Sequence, residues 1–200
     1  MGATAGRTTL NGEGLQHQDG HSLLHASTVP FCRSWDPAYA YELATIIQHG
    51  IKEMWGENLD VFHYIMLYNQ NERQPPKPED VDDKIIKGAY KLSETNNGQR
   101  PFVRLLGSGP ILTHVIEASE KLSDLGIDSE IWSVTSYGEL RREGLESERL
   151  NRLHPGENKI PYVSECFGDD ITTVAVSDYI AAVPEMLQRW VGGRYVVLGT

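Results

Sequence analysis

Cysteine is scarce in this chain: Cys32 and Cys166 are the only two in 200 residues. They lie far apart and form no C-x-x-C pair. That excludes a disulfide-dense scaffold and points to a reducing compartment, with each thiol packed as a small hydrophobe. Positive charge is also short. Lys and Arg total 18 against 28 Asp and Glu, a formal net charge of -10, with a pI near 5.1. A nucleic-acid binder needs a basic surface to meet phosphates, so that class is excluded; the acidity serves solubility. No apolar run is long enough to cross a bilayer, and no secretory leader opens the chain. We therefore expect a cytoplasmic protein with neither nucleic acid nor membrane as partner. Hydrophobic residues still make up 40% of the chain, enough for a core. The length suits one large domain, or one domain and part of another.

What is present alternates. Residues 28–33 have strand-like content. Asp36-Pro37 follows, an acid placed as an N-cap with proline at the first helical position. Tyr41, Ala44, Ile47, Ile51 and Met54 recur at helical spacing and predict an amphipathic helix over 37–55. The apolar run 61–68, aromatic and β-branched, predicts a buried strand. Strand, helix and strand make one βαβ unit of a parallel sheet. Residues 69–83 carry Pro75, Pro76 and Pro78 without an apolar face and read as a linker. Beyond it, strands are expected at 102–106, 131–134, 162–166, 172–176 and 195–198, and helices at 110–126, 137–150 and 179–190. The order predicts an α/β fold with an open, mostly parallel sheet and helices on both faces.

Residues 12–22 stand apart. Two histidines, two acids and three glycines share a stretch with no hydrophobic period. Glycine lets the backbone approach a ligand, and imidazoles exchange protons near neutral pH. On one reading a rim loop offers Glu13 and His17 to a ligand, with the histidine donating a proton or steadying developing negative charge. The plain alternative is a solvated turn. His17, His21 and His25 are four apart, a zinc spacing only if the segment is helical, which Gly12, Gly14 and Gly20 oppose; the H-E-x-x-H pattern is missing because Gln18 follows His17. Gly107-Ser108-Gly109 lies between a strand and a helix like the start of a dinucleotide fingerprint. Leu112 stands where the third glycine belongs, and a tight turn explains the pair without a ligand. Neither Ser22 nor Ser108 sits in a G-x-S-x-G elbow. Trp132, Trp190, Phe102 and Tyr162 are read as core, and Asp169-Asp170, Glu146 and Glu148 as solvated charges.

The segment from Gly2 to His17, Gly-Ala-Thr-Ala-Gly-Arg-Thr-Thr-Leu-Asn-Gly-Glu-Gly-Leu-Gln-His, closely resembles a segment of the homodimeric bacterial type of pyruvate dehydrogenase. Supporting stretches run along the whole chain: Asp36-Pro37-Ala38-Tyr39-Ala40-Tyr41-Glu42, Gly88-Ala89-Tyr90-Lys91-Leu92, Leu105-Leu106-Gly107-Ser108-Gly109, Ser133-Val134-Thr135-Ser136-Tyr137 and Tyr195-Val196-Val197-Leu198-Gly199-Thr200. The resemblance implies that residues 1–68 end a transketolase-like pyrimidine-binding domain, 69–83 link, and 84–200 form a transketolase-type C-terminal domain truncated at its end. It implies a thiamine-diphosphate-dependent oxidative decarboxylation of pyruvate, with acetyl transfer to a lipoyl group. The positions matching Glu13 and His17 reach the active site in that family, and the histidine handles substrate and the reductive acetylation. Gln18 replaces an acid usual there, while Asp19 and Gly20 are retained. The family's Gly-Asp-Gly…Asn motif for diphosphate and magnesium does not occur here. Thiamine diphosphate and Mg2+ are thus expected to be bound mainly by regions absent from this chain, with no cofactor or metal ligand among its own residues. The expected partners are a second copy in a homodimer, the lipoyl acyltransferase core of the pyruvate dehydrogenase complex, and pyruvate. The chain reads as an internal fragment, inactive alone. A competing reading makes it a non-catalytic dimerisation or structural module of a transketolase-like enzyme; a third makes it a nucleotide binder using the Gly107 turn.

Overall fold

The computed structural model describes residues 8–10, 12, 14–68, 70–96 and 98–200. Short helical turns at Thr8–Leu10 and Leu15–His17 lead into α1 (Ser22–Ala26). Then β1 (Cys32–Trp35), α2 (Ala40–Ile51) and β2 (Phe62–Ile65) form the expected βαβ unit, with β1 and β2 parallel and Cys32 facing Phe62 in register. The first strand starts four residues later than expected, because the chain turns at 27–31 around Pro30.

The start of α2 corrects the capping expectation. Asp36 is not its N-cap. Glu42, buried in the first turn, reaches back to accept from the N–H groups of Ala38 (2.6 Å) and Tyr39 (3.0 Å). A carboxylate there meets the free N–H groups and the positive end of the helix dipole. Asp36 is thereby left for another task. At its far end α2 runs into a wider π turn, Lys52–Gly56. Strand β2 departs from the buried strand expected: Phe62 and Tyr64 stay 45% and 38% exposed, since only one face and one edge of it are covered in this chain.

After the proline-containing stretch comes α3 (Asp82–Lys87), closed by Gly88 at φ 108. Val81 and Ile85 pack with Trp35, Ile46 and Tyr90. The remaining elements are β3 (Ala89–Thr95), β4 (Phe102–Gly107), α4 (Ile111–Asp124), β5 (Asp128–Val134), α5 (Tyr137–Leu153), α6 (Tyr162–Phe167), β6 (Thr173–Val176), α7 (Ala182–Glu185) and β7 (Tyr195–Leu198). They build a five-stranded sheet in the order β3-β5-β4-β6-β7. All neighbours are parallel except β3 against β5. This is the α/β fold with an open, mostly parallel sheet that the sequence predicts.

Two expectations fail locally. Residues 162–166, read as a strand, form α6: Val163 and Phe167 are four apart and both fully buried, a helical repeat that outweighs β-branched propensity. The helix expected over 179–190 shrinks to α7 and a run of turns, because Pro184 lacks the N–H a longer helix needs. The core lies on both faces of the sheet. Leu106, Trp132, Val134 and Ala175 meet Leu140, Phe167, Val183 and Leu187 on one side. On the other, Leu105 and Ile131 meet Leu112 and Val115 of α4 and Tyr39 from the first βαβ unit. Full burial of side chains of this size contributes about 1.5–3 kcal/mol each.

Candidate functional site

The carboxyl ends of β1, β2, β4, β5 and β6 converge. In open α/β sheets that is where ligands bind. Asp36 follows β1 and is 2% exposed. Its carboxylate accepts from Ser108 Oγ (2.6 Å), just beyond β4, and from Tyr68 Oη, beyond β2. Its backbone N–H donates to the Thr135 carbonyl beyond β5 (2.8 Å), and its carbonyl accepts from Gly109 N–H (3.0 Å). Tyr179 Oη, beyond β6, lies 3.4 Å from Tyr68 Oη. Burial pushes the Asp36 carboxyl up to about 7. The hydrogen bonds from Ser108 and Tyr68 pull the other way, and the negative charges of Asp178 and Glu42 add to the rise. Burial likewise drives the Tyr68 and Tyr179 phenols far above their ordinary range, so both serve as neutral donors.

Gly107-Ser108-Gly109 is therefore a tight turn with a packing purpose. Gly109 has φ +50, and a Cβ there would stand 2.5 Å from Asp36 Oδ1 and 2.6 Å from Tyr68 Oη. Only glycine lets the turn close on the buried acid.

The histidine-bearing segment is seated on the same strand ends. Thr8 donates its N–H to both carboxylate oxygens of Asp178 (3.2 and 3.1 Å) and its hydroxyl to Oδ1 (2.5 Å). Twelve residues on, the Gly20 carbonyl accepts from Ile180 N–H (3.0 Å). His17 lies between these two ties, exposed, its backbone N–H bonded to the Gly14 carbonyl (3.1 Å). Glu13 falls outside the described residues. Asp19 has a local duty: it accepts from the N–H groups of His21 (3.0 Å) and Ser22 (3.1 Å), just ahead of α1. His21 and His25 flank that short helix and are exposed, with His17 on a separate turn.

A cavity of about 190 Å³ opens beside this network, between Thr9, Pro37, Tyr68, Gln74 and Pro110. A larger one, about 900 Å³, lies at the opposite ends of the strands, where Lys91, Glu130, Arg104 and Asp169 pair with one another. Among the described residues, the smaller cavity is lined by Glu72 and by no lysine or arginine. Among the described residues no three His, Cys, Asp or Glu side chains stand together as metal ligands. These donors do not fit a diphosphate with its magnesium. Sequence reasoning named Glu13 and His17 as candidates and did not anticipate the network of Asp36, Tyr68, Asp178 and Tyr179. Their only trace was a polar residue at the end of each apolar run.

The comparisons with known proteins agree with this architecture. Residues 1–75 match the family model of the pyruvate dehydrogenase E1 component middle domain, and residues 88–200 that of the transketolase-like C-terminal domain. The chain is 52% identical to the pyruvate dehydrogenase E1 component of Pseudomonas aeruginosa and 48% to that of Escherichia coli K12, in each case over all of this chain and 23% of the relative. Among solved structures, a transketolase from Campylobacter jejuni aligns with a TM-score of 0.59 at 20% identity, over 94% of this chain and 24% of that one. A split-gene transketolase described as an inactive β4 tetramer aligns at 0.59 and 17%, over 92% and 53%. At those identities the likeness is one of fold.

Proposed function

The chain belongs to the pyruvate dehydrogenase E1 family, of whose curated members it spans about a quarter, and from that premise we propose that it supplies part of the active site of such an oxidoreductase. In this reading the full-length protein decarboxylates pyruvate oxidatively and passes the acetyl group to a lipoyl group. His17, with Glu13, serves the substrate and the acetyl transfer. Thiamine diphosphate and Mg2+ are held mainly by regions outside this chain; bound, the cofactor supplies the carbanion chemistry. The protein works in the cytoplasm as a homodimer docked to a lipoyl acyltransferase core. Residues 1–68 end a pyrimidine-binding domain, and 84–200 form the transketolase-type part.

One observation carries the reading. The segment bearing His17 is fastened at Thr8 and at Gly20 to the carboxyl end of β6, and the histidine between those ties is left open to solvent. A segment with no task beyond solvation needs no buried carboxylate to hold it. The ties at Thr8 and Gly20 keep the segment on the strand ends while its imidazole stays exposed.

The test is His17→Ala in the full-length protein with thiamine diphosphate and magnesium. Acetyl transfer to a lipoyl domain is expected to fall about 100-fold, the scale of a lost general acid, with the melting temperature unchanged because the side chain is exposed. Unchanged transfer would remove His17 from the site. Pyruvate-dependent reduction of an artificial electron acceptor, absent in this chain and present in one extended upstream, tests the wider assignment.

A further inference from the structure

We propose that Asp178 is a positioning residue: from the end of β6 it holds, through Thr8, the segment that carries His17, so the C-terminal sheet sets the geometry of a side chain contributed from 161 positions earlier in the sequence. The proposal rests on the reading of that segment as catalytic.

Asp178 is 3% exposed, and its carboxylate takes both polar hydrogens that Thr8 offers, one from the backbone and one from the hydroxyl. Hydrogen bonds to an ionised acceptor are about twice as strong as neutral ones. The anchor itself is rigid. Ser177 N–H donates to the Leu198 carbonyl on β7 (3.0 Å) and Thr200 N–H to the Tyr179 carbonyl (3.1 Å). Ser177 Oγ accepts from Tyr179 N–H (3.1 Å), and Tyr179 is fully buried. The second tie, Ile180 N–H to the Gly20 carbonyl, leaves from the same strand end. The segment between is thus a loop closed on one rigid base. Two fixed ends two residues apart remove most of the conformations open to a glycine-containing loop. With the Thr8 tie released, the Gly20 end and the turn at Gly14, φ +88, would still hold His17 from one side.

The side chains make the claim specific. Asparagine at 178 keeps the shape but has one acceptor oxygen where the carboxylate has two. Valine at 8 keeps the shape of threonine and deletes the hydroxyl, whereas serine retains it.

The experiment uses the full-length protein loaded with thiamine diphosphate and magnesium, as wild type, Thr8→Val, Thr8→Ser, Asp178→Asn and the Thr8→Val/Asp178→Asn double variant. Two readouts are taken: amide hydrogen exchange over residues 12–19, and steady-state acetyl transfer. Thr8→Val and Asp178→Asn are each expected to speed exchange about tenfold and lower kcat about tenfold, with KM for pyruvate within about twofold, the effect of one lost charge-assisted hydrogen bond. Thr8→Val deletes the hydroxyl bond and Asp178→Asn one acceptor oxygen with its charge, so the double variant should be worse than either single but by less than the product of the two effects, because the deleted groups share one contact. Thr8→Ser should restore both readouts. Thr8 is only partly buried and valine keeps its shape, so a folding failure of Asp178→Asn does not remove the test. Unchanged exchange in a folded Thr8→Val variant overturns the anchor and leaves His17 as a catalytic residue standing. Faster exchange with unchanged kcat overturns the positioning role together with the catalytic reading of the segment.

Discussion

Ser108 donates its hydroxyl to the buried carboxylate of Asp36 at 2.6 Å, across 72 positions of sequence. The neighbouring Gly109 N–H bonds the Asp36 carbonyl at 3.0 Å. One turn after β4 thus grips both the side chain and the backbone of the residue after β1. The two sheets are joined at their carboxyl ends through a polar clamp, where an apolar seam would have left the strand-end polar groups unpaired.

Because burial raises the Asp36 carboxyl to about 7 from an ordinary value near 3.8, the native protein holds a proton there that the unfolded chain releases. Between those values the folded state binds more protons, so stability falls as pH rises. The contribution is whole below about pH 4 and gone above about pH 7. Asp36→Asn keeps an acceptor for one of Tyr68 and Ser108, turns an N–H toward the other's hydroxyl oxygen, and does not titrate. We expect it to flatten the melting-temperature profile of the full-length protein over pH 4–7 and to raise stability at pH 8. Destabilisation at pH 8 with the slope unchanged would mean that Asp36 is ionised throughout.

Gly109→Ala should be costly. The new Cβ would press on Asp36 Oδ1 and Tyr68 Oη, and φ +50 is strained for alanine. The expected loss is about 2–4 kcal/mol, the range of combined steric and backbone defects, read by urea denaturation of the full-length protein. Gly98→Ala shares the positive φ but meets no neighbour within 4 Å, and it isolates the backbone share.

How legible was this in the sequence? The central parallel strands were, since β4 and β6 are apolar runs bounded by glycine or charge, and so was α4, whose buried Leu112 and Val115 repeat at helical spacing. Strand β3 was not. It is an antiparallel edge with Lys91 and Glu94 on it and a bulge between Lys91 and Ser93, so it shows no apolar run. Near the strand ends, His17 was a candidate through the composition of its own segment, and the structure adds that it is exposed on a short turn. Asp36 was misread for a physical reason: an acid before proline has the local chemistry of an N-cap, and nothing local reports a serine 72 positions away. Partners that meet only in three dimensions leave no periodicity.

Arg104 carries the next prediction. Its guanidinium is buried between Glu130 and Asp169, with Lys91 also 2.6 Å from Glu130. Removing one member of a buried pair strands the other's charge and costs about 3–5 kcal/mol; removing both costs less. Here Lys91 stays on Glu130 and Asp169 is half exposed, so Arg104→Met should lie at the low end of that range. The Arg104→Met/Glu130→Gln double variant should recover part of the loss, and a double-mutant cycle from urea denaturation measures the coupling. Strict additivity would show that the pair does not interact.

His63 should tilt stability the opposite way to Asp36. Trp35 Nε1–H donates to its Nδ1 at 2.9 Å, so the neutral ring carries its hydrogen on Nε2 and donates it to Glu53 at 3.0 Å. A second proton would face the indole N–H. Burial holds the imidazole below its ordinary value near 6.5 despite the pull of Glu53, with His49 and Arg33 adding to the fall. The native state then binds fewer protons than the unfolded chain. The stability it contributes is whole above about pH 6.5 and is lost as pH falls through the native value. His63→Gln offers the indole an acceptor and Glu53 a donor but does not titrate. Its melting-temperature profile, subtracted from that of the parent, should show a loss confined to the acid side of pH 6.5. The Asp36→Asn difference should run across pH 4–7 with the opposite sign. A flat His63→Gln difference would mean that His63 protonates equally in the folded and unfolded protein, which its bond from Trp35 forbids.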